Sequence, residues 1–364
     1  MGLSIGIVGL PNVGKSTLFN ALTKAGALVA NYPFATIDPN TGVVEVPDER
    51  LTALAGVFKP PSVVPATVTF VDIAGLVKGA SEGEGMGNRF LAHIRESDAI
   101  AMVVRCFDNP DVTHVSGRVD PRDDIATVDY ELMLADLDTV KRRRERTVKL
   151  ARNSKEAAAE LEVLQRIEAG LDVATPARRL GLTEEERLLV RDLSLLTIKP
   201  AIYIANVSED DAAKTSGGAL DEVAAVANEE GSRWLPISAR IESDLLELEP
   251  EEAREYLDTL GLQESGLGRL AHAAYDTLGL MTYLTAGEKE VRAWTIRRGT
   301  KAPQAAAAIH GDFERGFIKA EVINWKDLVE TGSWPAAKAV GKVRIEGRDY
   351  VFQDGDTVIF RFNV

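Results

Sequence analysis

The sequence predicts an α/β fold whose parallel sheet is interrupted by a helical hairpin and followed by a small α+β domain. Three observations carry this. Short apolar runs rich in Val and Ile alternate with helical stretches over the first 280 residues, the pattern of buried parallel strands. Two long, charged, proline-free stretches lie between residues 128 and 196. After about Leu280 the pattern turns β-rich.

In chain order, strands are expected at SIGIVGL (4–10), TVTFVDIAG (67–75), AIAMVVRCF (99–107), PAIYIANV (200–207) and RWLPIS (233–238). YELMLADLDTVKRRRERTVKLAR and SKEAAAELEVLQRIEAGL read as antiparallel helices joined by a turn at RNSKE. Leu161, Leu164, Ile167 and Leu171 fall on one face of the second helix. The run KRRRER (141–146) reads first as a solvated helix face among acidic neighbours, with an RNA or import-factor contact as the alternative. EVRAWTI, FIKAEVI, KVRIEGRDY and TVIFRFNV are the late strands, with DGD (354–356) as a turn. The expected boundaries are therefore 1–127, 128–196, 197–280 and 281–364.

The 364 residues carry 42 Lys and Arg against 56 Asp and Glu, a net charge of −14. That disfavours nucleic-acid binding through overall charge. Residues 281–364 hold 13 basic and 11 acidic residues, so the rest carries 29 against 45. The C-terminal segment is thus the better candidate for meeting RNA, or is simply a near-neutral domain. Cys106 is the one cysteine, which rules out an intrachain disulfide and suggests a buried thiol at a strand end. The N-terminal apolar run lacks a preceding basic segment, so no secretory signal is expected. No run approaches the ~18 apolar residues of a membrane helix, and a cytoplasmic location is expected.

GLPNVGKS (Gly9 to Ser16) fits G-x-x-x-x-G-K-[ST] between a strand and an amphipathic helix, the context this P-loop motif requires. Its glycines permit a tight turn, and backbone N–H groups from Asn12 through Val13, Gly14, Lys15 and Ser16 to Thr17 can converge on phosphate oxygens at a helix N-terminus. Lys15 is expected to reach the β- and γ-phosphates and the Ser16 hydroxyl to ligate Mg²⁺. DIAG (72–75) ends the next strand. Asp72 suits Mg²⁺ held through water, and the Gly75 N–H suits a γ-phosphate sensor. Between them, Thr36 is the candidate to complete Mg²⁺ coordination, with Thr41 as a competitor. The glycine-rich stretch KGASEGEGMGN suits a segment that responds to nucleotide state.

Leu76 stands where many signalling GTPases orient water with Gln. A Leu cannot do so, and unassisted hydrolysis should be slow. Asn12, beside a K⁺ ion, and His114 are the candidate substitutes, each with a plain turn or surface alternative.

The base site centres on NVSE (206–209), where a GTP-binding protein of this class is expected to carry Asn-Lys-X-Asp. Guanine offers N1–H and N2–H₂ to one carboxylate, and adenine does not. Glu209 is one methylene longer than that Asp. Asn206 is expected to pair with adenine N6 and N7, Val207 to pack on the base, and Ser238 with the Ala239 N–H to close over it. The preference leans to ATP, with GTP weaker.

The ordered set GLPNVGKS, FATIDPNTG, DIAGLVKGASEGEGMGN, NVSE and SAR resembles the YchF/Obg-like ATPase family across essentially the whole chain, and VRAWTIRRGTKAPQAAAAIHGDFERGFIKAEVI is similar to a TGS domain. The resemblance implies a translation-factor-class P-loop NTPase domain, a coiled-coil insertion and a ubiquitin-like β-grasp TGS domain. It also implies ATP bound as well as or better than GTP, slow hydrolysis, and association with ribosomes, here expected at the large subunit. It places Asn12–Thr17 on the phosphates, Ser16 and Thr36 on Mg²⁺, Asn206 at the base and a hydrophobic residue at Leu76. Expected RNA contacts fall to the TGS or helical domain. The rival readings are a GTPase of ribosome assembly and a nucleotide-gated regulator with incidental turnover.

Overall fold

The computed structural model describes residues 3–29, 41–73, 86–109 and 118–363. The strands run in chain order as β1 Ser4–Val8, β2 Thr41–Glu45, β3 Val63–Val64, β4 Thr67–Asp72, β5 Ala99–Arg105, β6 Ala201–Asn206, β7 Arg233–Ile237, β8 Leu280–Ala286, β9 Val291–Arg297, β10 Phe317–Asn324, β11 Arg344–Glu346 and β12 Asp356–Phe362. They form two six-stranded sheets, ordered β2-β4-β1-β5-β6-β7 and β11-β10-β12-β8-β9-β3. The chain divides into two compact units, Met1–Val44 with Thr69–Ala273, and Glu45–Val68 with Ala274–Val364.

In the first unit β4, β1, β5, β6 and β7 are mutually parallel. Every residue of β5 and β6 is buried, as continuous apolar runs require when both faces of a sheet are covered. The helix α1, Lys15–Val29, follows β1 directly.

The helical hairpin belongs to this unit. Its first helix spans Pro121–Leu150, with Asp120 as N-cap accepting from the Asp123 N–H. It begins seven residues before the expected boundary, since Pro at the first turn and an Asp cap favour initiation there. The second spans Lys155–Asp172, capped by Ser154. Leu164, Ile167 and Leu171 are buried against Met133 and Val140, while Leu161 is half-buried. Asp136, fully buried, accepts from the Leu196 and Thr197 N–H groups and the Thr197 hydroxyl at 2.7–2.8 Å, which pins the return of the hairpin to β6.

KRRRER is not the free basic run that an RNA contact there needs. Lys141 faces Asp172 at 3.5 Å, Arg142 faces Asp138, Arg143 faces Glu160 at 2.6 Å and Asp192 at 3.1 Å, and Arg144 faces Glu168 at 2.7 Å. Its first four cations are neutralised by carboxylates four residues away or across the hairpin.

The second unit departs from the expected boundaries. Residues 45–68, read from sequence as part of the P-loop domain, supply this unit with the edge strand β3, parallel to β9, and with the helix Glu49–Phe58. One face of the sheet carries an aromatic core of Tyr283, Phe317, Phe352 and Phe360 under the helix Ala302–Ala307. Helix Glu49–Phe58 packs on β8, β9 and the helix Trp325–Thr331. Leu51 and Leu54 are its buried residues, and Arg50 pairs with Asp48 at 2.7 Å and with Asp354 at 3.1 Å. A half-buried sheet needs such a cover. We expect Leu54→Ala to cost the second unit about 2–5 kcal/mol. The lowered denaturation midpoint would show in the fluorescence of Trp294, Trp325 and Trp334, with nucleotide affinity unchanged.

Candidate functional site: a nucleotide cleft at the strand ends

β1 lies inside the parallel sheet, and the chain leaves it through GLPNVG into α1. Gly9 and Gly14 adopt φ values of +149° and +96°. A Cβ on Gly9 would stand 2.5 Å from the Val103 carbonyl oxygen, and one on Gly14 2.1 Å from Asn206 Nδ2. Both glycines are thus required by conformation and by close approach. Asn12 holds φ 63°, a left-handed conformation that Asn tolerates better than most residues. The turn exposes Ser16 and Thr17 at the helix N-terminus, where unpaired N–H groups and the dipole favour anions.

Lys15 is buried, and its Nζ donates to the Leu10 carbonyl at 2.5 Å. Burial pulls its pKa down to about 8, opposed by the nearby Asp72 carboxylate. Burial likewise raises the Asp72 pKa, opposed by Lys15. An ammonium held this way is short of counter-charge, and a phosphate supplies it.

At the other end of the cleft, Asn206 closes β6 and is 4% exposed. Its Nδ2 donates to the Val13 carbonyl at 2.8 Å, and its Oδ1 accepts from the Ala239 N–H at 3.1 Å. One side chain therefore ties the P-loop to the SAR turn. Each of its polar atoms serves the backbone once, which leaves one Nδ2 hydrogen and one Oδ1 lone pair for a ligand. Ser238 is buried, and its hydroxyl has no hydrogen-bond partner among the described residues.

A cavity of about 680 Å³ brings together Asn12, Gly14, Lys15, Ser16, Thr17, Asn206, Val207, Ser238 and Ala239. Val13 is buried beneath it and contributes its carbonyl. Asp72 ends β4, in register with Ile7 of β1, and does not line the cavity. Thr36, Gly75, Leu76 and His114 lie outside the described residues.

Sequence reasoning missed one wall. Phe107, Asp108 and Asn109 line the cavity after β5, as do Ser208 and Arg240. Arg105, 2% exposed, holds that wall. Its Nε donates to the Phe107 carbonyl at 3.0 Å and its guanidinium to the Asn109 carbonyl at 3.3 Å, with the guanidinium carbon 4.8 Å from the Phe107 ring centroid. A lone cation ending an apolar strand, AIAMVVRCF, was the available signal. Cys106 beside it is buried, and burial pushes its thiol up to about 12, so it is a packing residue.

A family model described as 50S ribosome-binding GTPase matches residues 4–153. The YchF-GTPase_C model, described as a protein of unknown function, matches residues 280–363. The chain is 54% identical to the ribosome-binding ATPase YchF of Bacillus subtilis over 366 residues, with all of both chains covered. The YchF of Haemophilus influenzae is 55% identical over 365 residues, again with full coverage. The chain belongs to the YchF family. The solved Schizosaccharomyces pombe YchF GTPase superposes with a TM-score of 0.88 at 41% identity, covering 99% of this chain and 97% of that one. This YchF-family chain is thus a P-loop NTP hydrolase, with a translation-factor-class G domain and a C-terminal domain consistent with the TGS type. The names of these relatives divide between ATPase and GTPase and do not decide the base. No helix of the described residues is long and apolar enough to cross a membrane.

Proposed function

We propose that this protein is a Mg²⁺-dependent ATPase whose slow turnover switches its binding to the ribosome, in the cytoplasm. The observation that carries the choice of base is the state of positions 207 and 209. Val207 is buried at the cleft, and Glu209 stands at the mouth with its carboxylate 4.0 Å from Arg240 Nε. That contact is long and exposed, and Asp244 holds Arg240 Nε closer, at 3.2 Å, so what weighs against guanine is the added methylene of Glu209 where a GTP-binding protein carries Asp. Asn206 keeps one Nδ2 hydrogen for N7, an acceptor common to both purines. Its remaining Oδ1 lone pair can accept from adenine N6–H₂, where guanine presents an acceptor, and the same side chain holds the site together. The unpartnered Ser238 hydroxyl can accept from adenine N6, and Phe107 offers a ring for stacking.

The donor set suits Mg²⁺. Among the described residues no group of three or more His, Cys, Asp or Glu could hold a metal. Mg²⁺ commonly takes one or two protein ligands plus phosphate oxygens and waters. Ser16 would hold the ion directly and Asp72 through water, with Thr36 completing the set in the triphosphate state. When bound, the ion offsets charge developing on the phosphates. Lys15 and the P-loop N–H groups orient the γ-phosphate. With Leu76 unable to orient water, Asn12 with K⁺ and His114 are the groups to supply that role. The ribosome reading is supported by the names of relatives that match this chain end to end.

Paired titration with fluorescent ATP and GTP analogues in Mg²⁺ buffer, with K⁺ and then Na⁺, tests the base. Tighter ATP binding is expected. Restoring the guanine-reading pair with Val207→Lys and Glu209→Asp should move the ATP-to-GTP ratio towards GTP by about 10–100-fold, the value of roughly 1–3 kcal/mol of polar recognition. GTP preference in the unmodified protein would overturn the ATP reading. Ribosome co-sedimentation that ignores nucleotide would overturn the switch.

A further inference from the structure

β5 is buried along its whole length, and its sequence AIAMVVR is apolar up to the last residue, Arg105. The sheet gains nothing from that cation, because a guanidinium at 2% exposure must be hydrogen-bonded to be tolerated, and an apolar side chain would cost less. Its hydrogen bonds run forward, into the segment that leaves the strand. Nε donates to the Phe107 carbonyl at 3.0 Å and Nη2 to the Asn109 carbonyl at 3.3 Å, with the guanidinium carbon 4.8 Å from the Phe107 ring centroid.

Two further observations make this clamp part of the cleft. Phe107, Asp108 and Asn109 line the same cavity as the P-loop, and Phe107 is half-buried there. The Cys106 N–H donates to the Asn206 carbonyl at 2.8 Å, and the Asn206 side chain holds Val13 and Ala239. The segment 106–109 is therefore fixed at three backbone points to the frame that carries the phosphate turn. Fixing it before ligand arrives removes an ordering cost from binding. Arginine suits the task, because one planar fork can serve two carbonyls and lie over a ring, whereas a lysine ammonium is a point charge.

We infer that Arg105 is the positioning residue of a base-stacking wall. By clamping the Phe107 and Asn109 carbonyls it presents the Phe107 ring to the face of the nucleotide base, and so sets the share of affinity that the base supplies. This rests on the nucleotide reading above and deepens it. Stacking gains with ring area, so the wall rewards a two-ring purine over a one-ring pyrimidine. It does not separate adenine from guanine, since both offer the same two-ring face. That choice stays with the polar groups around Asn206 and Ser238.

The test compares the full chain with Arg105→Met, Arg105→Lys, Phe107→Ala and the Arg105→Met, Phe107→Ala double variant. Calorimetry in Mg²⁺ buffer measures ATP and inorganic tripolyphosphate, which offers phosphates without a base. Phe107→Ala and Arg105→Met should each weaken ATP by about tenfold, within the range that loss of a stacking ring gives. The double variant should be no weaker than either single, and Arg105→Lys should fall between parent and Arg105→Met. Tripolyphosphate affinity should hold within about twofold throughout. In ATP hydrolysis the loss should appear in KM rather than kcat. Equal losses for ATP and tripolyphosphate would mean that the cleft itself has collapsed, and would overturn the inference. So would additive losses in the double variant, because Arg105 would then not act through Phe107. Should Arg105→Met not fold, parent-like ATP affinity in Arg105→Lys overturns it. Each of these outcomes leaves the ATP reading standing. Tighter GTP than ATP binding by the parent would sink that reading alone, and the same variants measured with GTP would still decide the role of Arg105.

Discussion

Replacing Lys15 by Ala should lower nucleotide affinity by about two to three orders of magnitude and leave the nucleotide-free fold intact. The loss follows from charge-assisted contacts of about 1.5–3 kcal/mol each, of which Lys15 would make two in the proposed complex, at about 1.4 kcal/mol per tenfold. The fold is spared because Lys15 is a cost in the empty site: it is buried, and its pKa has dropped from 10.5 to about 8. That drop makes the prediction pH-dependent. Above about pH 8 the empty site sheds the Lys15 proton, and a phosphate draws it back. Nucleotide affinity should therefore weaken by up to tenfold per pH unit between 8 and 10. Calorimetry at pH 9 in two buffers of different ionisation enthalpy should show proton uptake on binding. The stability effect has the opposite sign. A lysine whose folded pKa lies below its unfolded value opposes folding while charged, so the nucleotide-free protein should gain stability between pH 8 and 10.5. The variant should show neither dependence.

Arg178→Ala should give the largest stability loss, about 3–5 kcal/mol, as a fall in the denaturation midpoint of the first unit. Arg178 sits on the 3₁₀ turn that follows the hairpin. Its guanidinium donates to both Asp129 carboxylate oxygens at 2.7 Å and to Glu230 at 2.8 Å, and the Tyr203 hydroxyl donates to Glu230 at 2.6 Å. All three charged side chains are at least nine-tenths buried. Removing the cation strands two carboxylates from different elements. Burial already pushes the Asp129 carboxyl up, with Arg178 opposing. In the variant that opposition is gone. A carboxyl with a raised folded pKa favours the folded state only while protonated, so the deficit should shrink as pH falls from 7 to 5. The triple replacement Arg178→Met, Asp129→Leu and Glu230→Leu should recover most of the midpoint. Failure to recover would mean that packing, not stranded charge, sets the cost.

Much of this protein was legible in its sequence. Gly9, Gly14, Lys15 and Ser16 declare a phosphate cradle because a backbone turn and a helix start are local events with local residue requirements. β1, β5 and β6 were legible for a related reason: a strand buried on both faces must be apolar almost throughout. The hairpin showed itself through helical spacing.

What stayed hidden was long-range. Nothing local in residues 45–68 says that they complete the C-terminal unit, since Leu51 and Leu54 form an ordinary apolar stripe until a sheet face needs them. KRRRER reads as a solvated face among acidic neighbours, but which carboxylates it meets stayed hidden, because they come from Asp138, the second helix and beyond. Asn206 lines the cleft at the end of β6. Its task of riveting the Val13 carbonyl to the Ala239 N–H depends on two turns that meet in space and are far apart in the chain. The sequence by itself determined the chemistry of the phosphate site, because that chemistry is built from neighbours along the backbone. The tertiary structure decided which charges are cancelled, which polar groups are left open to a ligand, and which unit each segment serves, because those depend on burial and on distances that no spacing encodes.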